Sequence, residues 1–111
     1  RVGEDELCKE VSELVEYYKQ NAYKIIVVTG RDGSCEQETR QWLDKHNVPY
    51  DELHIRPAGN NEKDSIIKRR IYDEHIKGKY NVRVVIDDRD QVVRMWRSLG
   101  LKCIQVADGS F

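Results

Sequence analysis

The segment Val82-Arg83-Val84-Val85-Ile86, with Asp87-Asp88 directly after it, decides which fold this sequence can adopt. A short, continuous apolar run rich in β-branched residues predicts a strand that is buried on both faces of a parallel sheet. A second run of this kind, Tyr23-Lys24-Ile25-Ile26-Val27-Val28, is followed by Thr29-Gly30-Arg31. Both runs therefore predict central strands that end in polar residues.

Helical segments alternate with these strands. Apolar residues at helical spacing predict a helix over residues 5–20 and one helix in each of the three later connections, and shorter strands are predicted at 53–56 and 102–106. The predicted helix caps are Asp5, Ser34, and Asn60 or Asn61. Alternating strands and helices indicate an α/β fold, a doubly wound parallel sheet with flanking helices.

Composition limits the class of protein. The chain has 111 residues, of which 39% are hydrophobic and 35% charged, with 19 Lys and Arg against 20 Asp and Glu. This balance excludes a disordered polyelectrolyte and an integral membrane protein, and it predicts a single soluble, cytoplasmic domain over residues 1–111. Cys8, Cys35 and Cys103 are odd in number and far apart. We expect reduced thiols rather than a disulfide or a zinc site.

Polar residues follow three predicted strands: Thr29-Gly30-Arg31, Arg56 and Asp87-Asp88. Ligands of open parallel sheets bind beyond the carboxyl ends of the strands, so these residues are candidates for one site. The paired carboxylates suit Mg²⁺, which prefers oxygen ligands. The alternative is that Asp88 or Asp90 caps the following helix.

The Thr29-Gly30-Arg31 segment offers a hydroxyl, a flexible backbone and a guanidinium, which together suit a phosphate. The alternative is an ordinary turn with an arginine in solvent. Asp64 and Lys68 are four residues apart and therefore share one helix face. They form either a surface ion pair or part of an active site in which the lysine balances carboxylates and phosphate at once.

Longer stretches resemble a known family. Residues 27–31 and 63–68 are similar to the second and third motifs of the haloacid dehalogenase superfamily. The most specific match is Ile86-Asp87-Asp88-Arg89-Asp90-Gln91-Val92-Val93-Arg94-Met95-Trp96-Arg97, together with Gln105-Val106-Ala107-Asp108-Gly109-Ser110-Phe111. These segments closely follow the fourth motif and the C-terminal end of the 3′-phosphatase domains of phage-type polynucleotide kinase/phosphatases. The resemblance covers essentially the whole chain and implies a Rossmann-like fold.

The resemblance implies an activity, a cofactor and site residues. The reaction would be Mg²⁺-dependent removal of 3′-phosphates from RNA or DNA ends through an aspartyl-phosphate intermediate. Thr29 would bind the phosphoryl oxygens, Lys68 would stabilise the phosphoryl group and the nucleophile, and Asp87 would ligate Mg²⁺ with support from Asp88. The other substrate-binding positions are Gly30, Arg31, Arg56 and Asp64.

One departure from the family concerns the nucleophile. The family's first strand ends in Asp-x-Asp-Gly-Thr, and that motif does not occur in these 111 residues. We expect the first central strand, which would lie between those ending in Thr29 and Asp87, to be encoded outside them. The 111 residues alone are then expected to be inactive, and to be unstable or to assemble by strand swapping or as a homo-oligomer.

Further partners and alternatives stay open. The resemblance implies a 5′-kinase domain upstream, although no kinase-type phosphate loop is present. A cluster of basic residues on and after the third predicted helix suits nucleic-acid phosphates, or it is a solvated face. The alternative functions are a phosphatase of free nucleotides or small phosphoesters, and a non-catalytic, Mg²⁺-binding module of the receiver type. No membrane partner is expected.

Overall fold

The computed structural model describes residues 2–107 and Gly109, and for residues 2–8 it describes the backbone alone. The chain folds as two compact units, with the boundary between Asn60 and Asn61. Within the described residues, no helix has both the length and the apolar character needed to cross a membrane.

The first unit contains two helices and two strands. Helix α1 spans Val2–Gln20, strand β1 Ile26–Asp32, helix α2 Glu36–Lys45 and strand β2 Glu52–Arg56, and a 3₁₀ turn at Gly33–Cys35 joins β1 to α2. Strands β1 and β2 are parallel, and their pairing starts with Ile26 opposite Glu52. The connection through α2 is the helical crossover that two parallel neighbours require.

The second unit repeats this arrangement. Helix α3 spans Asp64–Ile71 and continues into a π-helical turn at Tyr72–Ile76; strand β3 spans Val85–Asp87, helix α4 Asp90–Ser98 and strand β4 Cys103–Gln105. Strands β3 and β4 are parallel, with Asp87 opposite Gln105. The predicted α/β class, with parallel strands and flanking helices, is therefore confirmed.

The core of the second unit is built from α4 and β4. Val92, Val93 and Trp96 of α4 pack with Cys103 of β4, and all four are buried. Burial raises the pKa of the Cys103 thiol, which keeps it protonated at neutral pH. Cys35 and Cys103 are both free thiols, as expected, whereas the side chain of Cys8 lies outside the described residues.

The central strands differ from their prediction in position and burial. Strand β1 begins at Ile26 rather than Tyr23 and includes Thr29-Gly30-Arg31, with an irregularity in its pairing between Thr29 and Asp32. Strand β3 begins at Val85 and ends at Asp87. Both strands are half-buried rather than fully buried. The described strands form two separate two-stranded sheets, so each strand has a hydrogen-bonded neighbour on one edge only.

The predicted helix caps were wrong. Helix α1 begins at Val2, so Asp5 lies inside it. The Ser34 N–H donates to Asp32 Oδ1, which caps the 3₁₀ turn. No side chain caps α2, α3 or α4. Asp90 is the first residue of α4, where the helix dipole favours a negative charge.

Asp51, which directly precedes β2, contacts Ile25 directly before β1 and Lys19 near the end of α1. Its Oδ1 accepts from Lys19 Nζ at 2.6 Å, and its Oδ2 accepts from the Ile25 N–H at 2.7 Å. The Lys19 hydrogen bond, followed by the Ile25 N–H, holds the pKa of Asp51 below its ordinary value of 3.8. The ionised carboxylate therefore stabilises the folded state.

We expect Asp51→Asn to destabilise the chain by about 1 kcal/mol at pH 7, because the charged hydrogen bond to Lys19 is lost. A carboxyl whose pKa is lower in the folded state than in the unfolded state stabilises the fold at pH values above its unfolded pKa. This stabilisation is lost as the pH falls through the folded pKa. Urea denaturation at pH 7 and at about pH 3 should show the difference shrinking at the lower pH. Asp44→Asn, at an exposed position of α2, is the matched control. An equal loss of stability at both pH values would contradict this account.

Candidate functional site

Thr29 and Arg31 lie at the carboxyl end of β1. The Thr29 Oγ1 accepts from the Arg31 N–H at 3.1 Å, which leaves the hydroxyl proton of Thr29 available to an anion. Arg31 is exposed, and no described ion pair or hydrogen bond involves its guanidinium. The chemistry at this strand end is compatible with the predicted phosphate contacts, and the roles of Thr29, Gly30 and Arg31 stay predictions.

Arg56 and Asp32 connect the loops that follow β2 and β1. The Arg56 Nε donates to the Gly30 carbonyl at 2.8 Å, and its Nη1 donates to the Asn60 carbonyl at 3.1 Å. Asp32 accepts from the Gly59 N–H at 3.1 Å, in addition to its bond with Ser34. The Ser34 and Gly59 N–H groups lower the pKa of Asp32 and keep it ionised.

Gly33 lets the two loops approach closely. A Cβ atom at this position would lie 2.9 Å from the Arg56 carbonyl oxygen, closer than real contacts permit. The structure thus shows two donors of Arg56 holding backbone carbonyls beside the strand end. Its predicted contact with a substrate phosphate stays a prediction.

Lys68 lies between two carboxylates in the second unit. Its Nζ is 3.1 Å from Asp87 Oδ2 and 3.6 Å from Asp64 Oδ2. All three side chains are only 9–10% exposed. The alternative of an exposed Asp64–Lys68 surface pair is therefore wrong. Buried charges are tolerated only when they are paired, so Lys68 compensates both carboxylates.

Asp87 is held by donors on both carboxylate oxygens. Its Oδ1 accepts from the Asp88 N–H at 2.8 Å and faces the Arg89 N–H at 3.5 Å. Its Oδ2 accepts from Lys68 Nζ at 3.1 Å and from Trp96 Nε1 at 3.2 Å. These contacts fix the carboxylate in one orientation.

The sequence did not identify Trp96 as a site residue. The helical spacing of Val92, Met95, Trp96 and Leu99 predicts a core position for it, and it is indeed only 3% exposed. A buried indole N–H, however, needs an acceptor, and Asp87 at the end of the preceding strand supplies one. That requirement was the signal available in the sequence.

Asp88 and its neighbours form what we call the acid loop, residues 87–90. The half-buried carboxylate of Asp88 takes part in no hydrogen bond or ion pair recorded for the described residues. The loop also receives the Gln105 side chain from β4 and lies against Gly109, neither of which was predicted as a site residue. Arg89 of the same loop reaches Asp64, with Nη1 at 3.6 Å from Oδ2.

The carboxylates of the acid loop fit a hydrated Mg²⁺. No cluster of three or more His, Cys, Asp or Glu side chains able to hold a metal occurs among residues 9–107, whose side chains the structure describes. Mg²⁺ does not need one, because it retains several waters and binds through one or two carboxylates and substrate oxygens. Asp88 has oxygens that no described donor occupies, and Asp87 lies directly beside it. The donor chemistry therefore matches the predicted cofactor.

We expect Lys68→Met to destabilise the chain by about 3 kcal/mol, because Asp64 and Asp87 would lose the charge that compensates them in a buried setting. Arg69→Met is the matched control: its ion pair with Asp73 is 43–47% exposed and should contribute less than about 1 kcal/mol. Urea denaturation of both variants at neutral pH measures the difference. Equal, small effects would show that the Lys68 pair is not buried in solution.

Comparison with known proteins places this chain in a family context. A family model described as "Polynucleotide kinase PNKP phosphatase domain" matches residues 1–111. Of the curated proteins, "Putative bifunctional polynucleotide kinase/RNA ligase" of Autographa californica nuclear polyhedrosis virus is 38% identical over 107 residues. That match covers 94% of this chain and 15% of the viral protein.

Solved structures show the same similarity. Chains in the structures of the Pnkp1/Rnl/Hen1 complex and of the Pnkp1/Rnl/Hen1 RNA repair complex match with a TM-score of 0.89 and 41% identity. The matches cover 92% of this chain, and 35% and 33% of those chains. The 111 residues thus span about a third of the structural relatives and less of the viral one.

Proposed function

Because the chain belongs to the family of polynucleotide kinase PNKP phosphatase domains, we propose that it forms part of a Mg²⁺-dependent phosphatase acting on the 3′-phosphates of nucleic-acid ends. The observation that carries the proposal is the buried Lys68 ammonium, held between Asp64 and Asp87 at the carboxyl end of β3. A fixed cation beside available carboxylate oxygens suits phosphoryl transfer, where catalysis depends on positioning and on neutralising charge.

The proposed reaction has two steps. In the first, an aspartate carboxylate attacks phosphorus and the P–O bond to the sugar breaks, while the 3′-oxygen takes a proton from the second aspartate of the family's motif and leaves as a hydroxyl. In the second, that aspartate takes a proton from water as the water attacks phosphorus, the P–O bond to the first aspartate breaks, and inorganic phosphate and the free carboxylate are released. The family's Asp-x-Asp-Gly-Thr motif is absent from these 111 residues, so the proposal places the nucleophile on a strand encoded outside them.

The residues of this chain have separate roles in the proposal. Lys68 faces the negative charge of the phosphoryl group, and Asp64 and Asp87 hold its ammonium in place. Asp87 and Asp88 would hold Mg²⁺, which when bound neutralises charge on the phosphoryl oxygens. In the first unit, Thr29, Gly30 and Arg31 are assigned to phosphate oxygens by their motif, and Arg56 is assigned to the support of that segment.

The distribution of charge favours a polyanionic substrate. Residues 61–111 contain 11 of the 19 Lys and Arg but only 8 of the 20 Asp and Glu, a formal charge of +3. Arg69 and Arg70 are paired with Asp73 and Glu62, whereas exposed Arg94 takes part in no described ion pair. An excess of basic charge raises the local concentration of nucleic acid.

The names of the relatives support RNA ends as substrates and a kinase or ligase as a partner domain. One relative is named as a kinase/RNA ligase, and the structural relatives belong to an RNA repair complex. We extend both features to this protein as part of the proposal.

The test is phosphate release by the full natural chain that contains these residues. The substrates are a 3′-phosphorylated RNA, the matching DNA and a nucleoside 3′-monophosphate, each with Mg²⁺ or with EDTA. We expect Mg²⁺-dependent release from the oligonucleotides, and Asp87→Ala to lower the rate by about 100-fold or more. Asp44→Asn, on the surface of α2, should keep the wild-type rate.

Other outcomes would overturn the proposal in different ways. Hydrolysis of the mononucleotide but not of the oligonucleotides would indicate a phosphatase of small phosphoesters. Mg²⁺ binding without hydrolysis of any substrate would indicate a non-catalytic module. Full activity of Asp87→Ala would contradict the assignment of the acid loop to the metal.

A further inference from the structure

One amide side chain fastens the acid loop to the neighbouring strand. Gln105 Nε2 donates to the Asp88 carbonyl oxygen at 3.0 Å and to Asp90 Oδ1 at 2.5 Å. Both hydrogens of the amide are therefore used. Gln105 is half-buried and lies opposite Asp87 in the β3–β4 pairing, so its side chain reaches the loop from the adjacent strand.

The carboxylate of Asp88 depends on its backbone for its position. Asp87 has donors on both of its oxygens, but no described donor contacts the Asp88 carboxylate. Its peptide is fixed instead: the Asp88 N–H bonds Asp87, and the Asp88 carbonyl accepts from Gln105. The contacts of its main chain thus fix the direction in which the Asp88 Cα–Cβ bond leaves the loop.

A second contact joins the same loop to Gly109. The Asp90 N–H donates to the Gly109 carbonyl at 2.7 Å. A Cβ atom at Gly109 would lie 2.0 Å from the Asp88 carbonyl oxygen, so backbone lies directly on backbone here. The Asp88 carbonyl therefore lies between the Gln105 amide and the Gly109 backbone.

We propose that Gln105 is a positioning residue for the acid loop, fixing the Asp88 peptide and so directing the Asp88 carboxylate towards a bound Mg²⁺. The inference rests on the proposed function. Gln105 touches neither substrate nor metal and acts through Asp88 and Asp90. The proposed role depends on the two N–H donors of the Gln105 amide. A methionine of similar length would fill the space without hydrogen bonds, and a glutamate would place a second carboxylate against Asp90.

The test uses Gln105→Met in the full natural chain. We expect the Mg²⁺ concentration for half-maximal phosphatase activity to rise about 10-fold, within the range seen when residues behind metal ligands are removed. The KM for a 3′-phosphorylated oligonucleotide at saturating Mg²⁺ should stay unchanged. In the metal-free protein, amide hydrogen exchange of residues 88–90 should accelerate. Gln105→Glu should raise the Mg²⁺ concentration for half-maximal activity at least as much.

Ile104→Thr is the matched control. Ile104 precedes Gln105 on β4, is 38% exposed and points to the other face of the strand, so its replacement disturbs the strand but not the acid loop. We expect it to keep the wild-type Mg²⁺ dependence even if its melting temperature falls. If Gln105→Met does not fold, Gln105→Asn gives the same readouts, because its amide is one methylene too short to reach both acceptors.

The outcomes separate this inference from the function it rests on. An active wild type whose Gln105→Met variant keeps its Mg²⁺ dependence and its exchange rates at 88–90 would overturn the inference and leave the function standing. A wild type without phosphatase activity would overturn the function. The exchange comparison would then still decide whether Gln105 holds the loop.

Discussion

The structure of the second unit depends on one buried cation between two buried anions. Lys68 contacts Asp64, on its own helix, and Asp87, at the end of β3, and so joins α3 to the sheet by charge. Removing three ionisable groups from water is costly unless the pairing is close. The contacts of Lys68 with both carboxylates meet that condition and hold its ammonium in one place. In the proposed reaction, this fixed positive charge would face the phosphoryl group.

The two units solve a similar problem with different chemistry. In the first unit, ionised side chains bind neutral backbone groups: Arg56 donates to carbonyls, and Asp32 accepts from N–H groups. In the second unit, side chains bind side chains around Asp87, and an amide from β4 binds the loop beyond it. In both units, the polar groups that follow a strand are fixed by the strand or loop beside it.

The order and type of the helices and strands could be predicted from the sequence, because the spacing of apolar residues shows which face of each element is buried in the core. The parallel class and the acid pair at the end of β3 followed from that pattern. The helix caps could not be predicted in this way: Ser34, the predicted cap of α2, lies instead in the 3₁₀ turn before that helix, and its N–H donates to Asp32, which caps the turn. Burial of the Asp64–Lys68 pair could not be predicted either. Helical spacing shows that the two residues are neighbours on one helix face, but not whether other elements cover them. The roles of Trp96 and Gln105 depend on register and on side-chain reach between elements, which sequence spacing does not contain.

Trp96 belongs to the core and to the candidate site at once. Its ring packs among Val92, Val93 and Cys103, and its N–H binds Asp87. A replacement at this position must fill a large apolar space and also donate a hydrogen bond to Asp87, and among the apolar side chains phenylalanine, leucine and methionine lack that donor. Packing and carboxylate orientation therefore cannot vary independently here. The same indole also makes Trp96 an internal optical probe, because its emission responds to the electric field of the carboxylate it binds.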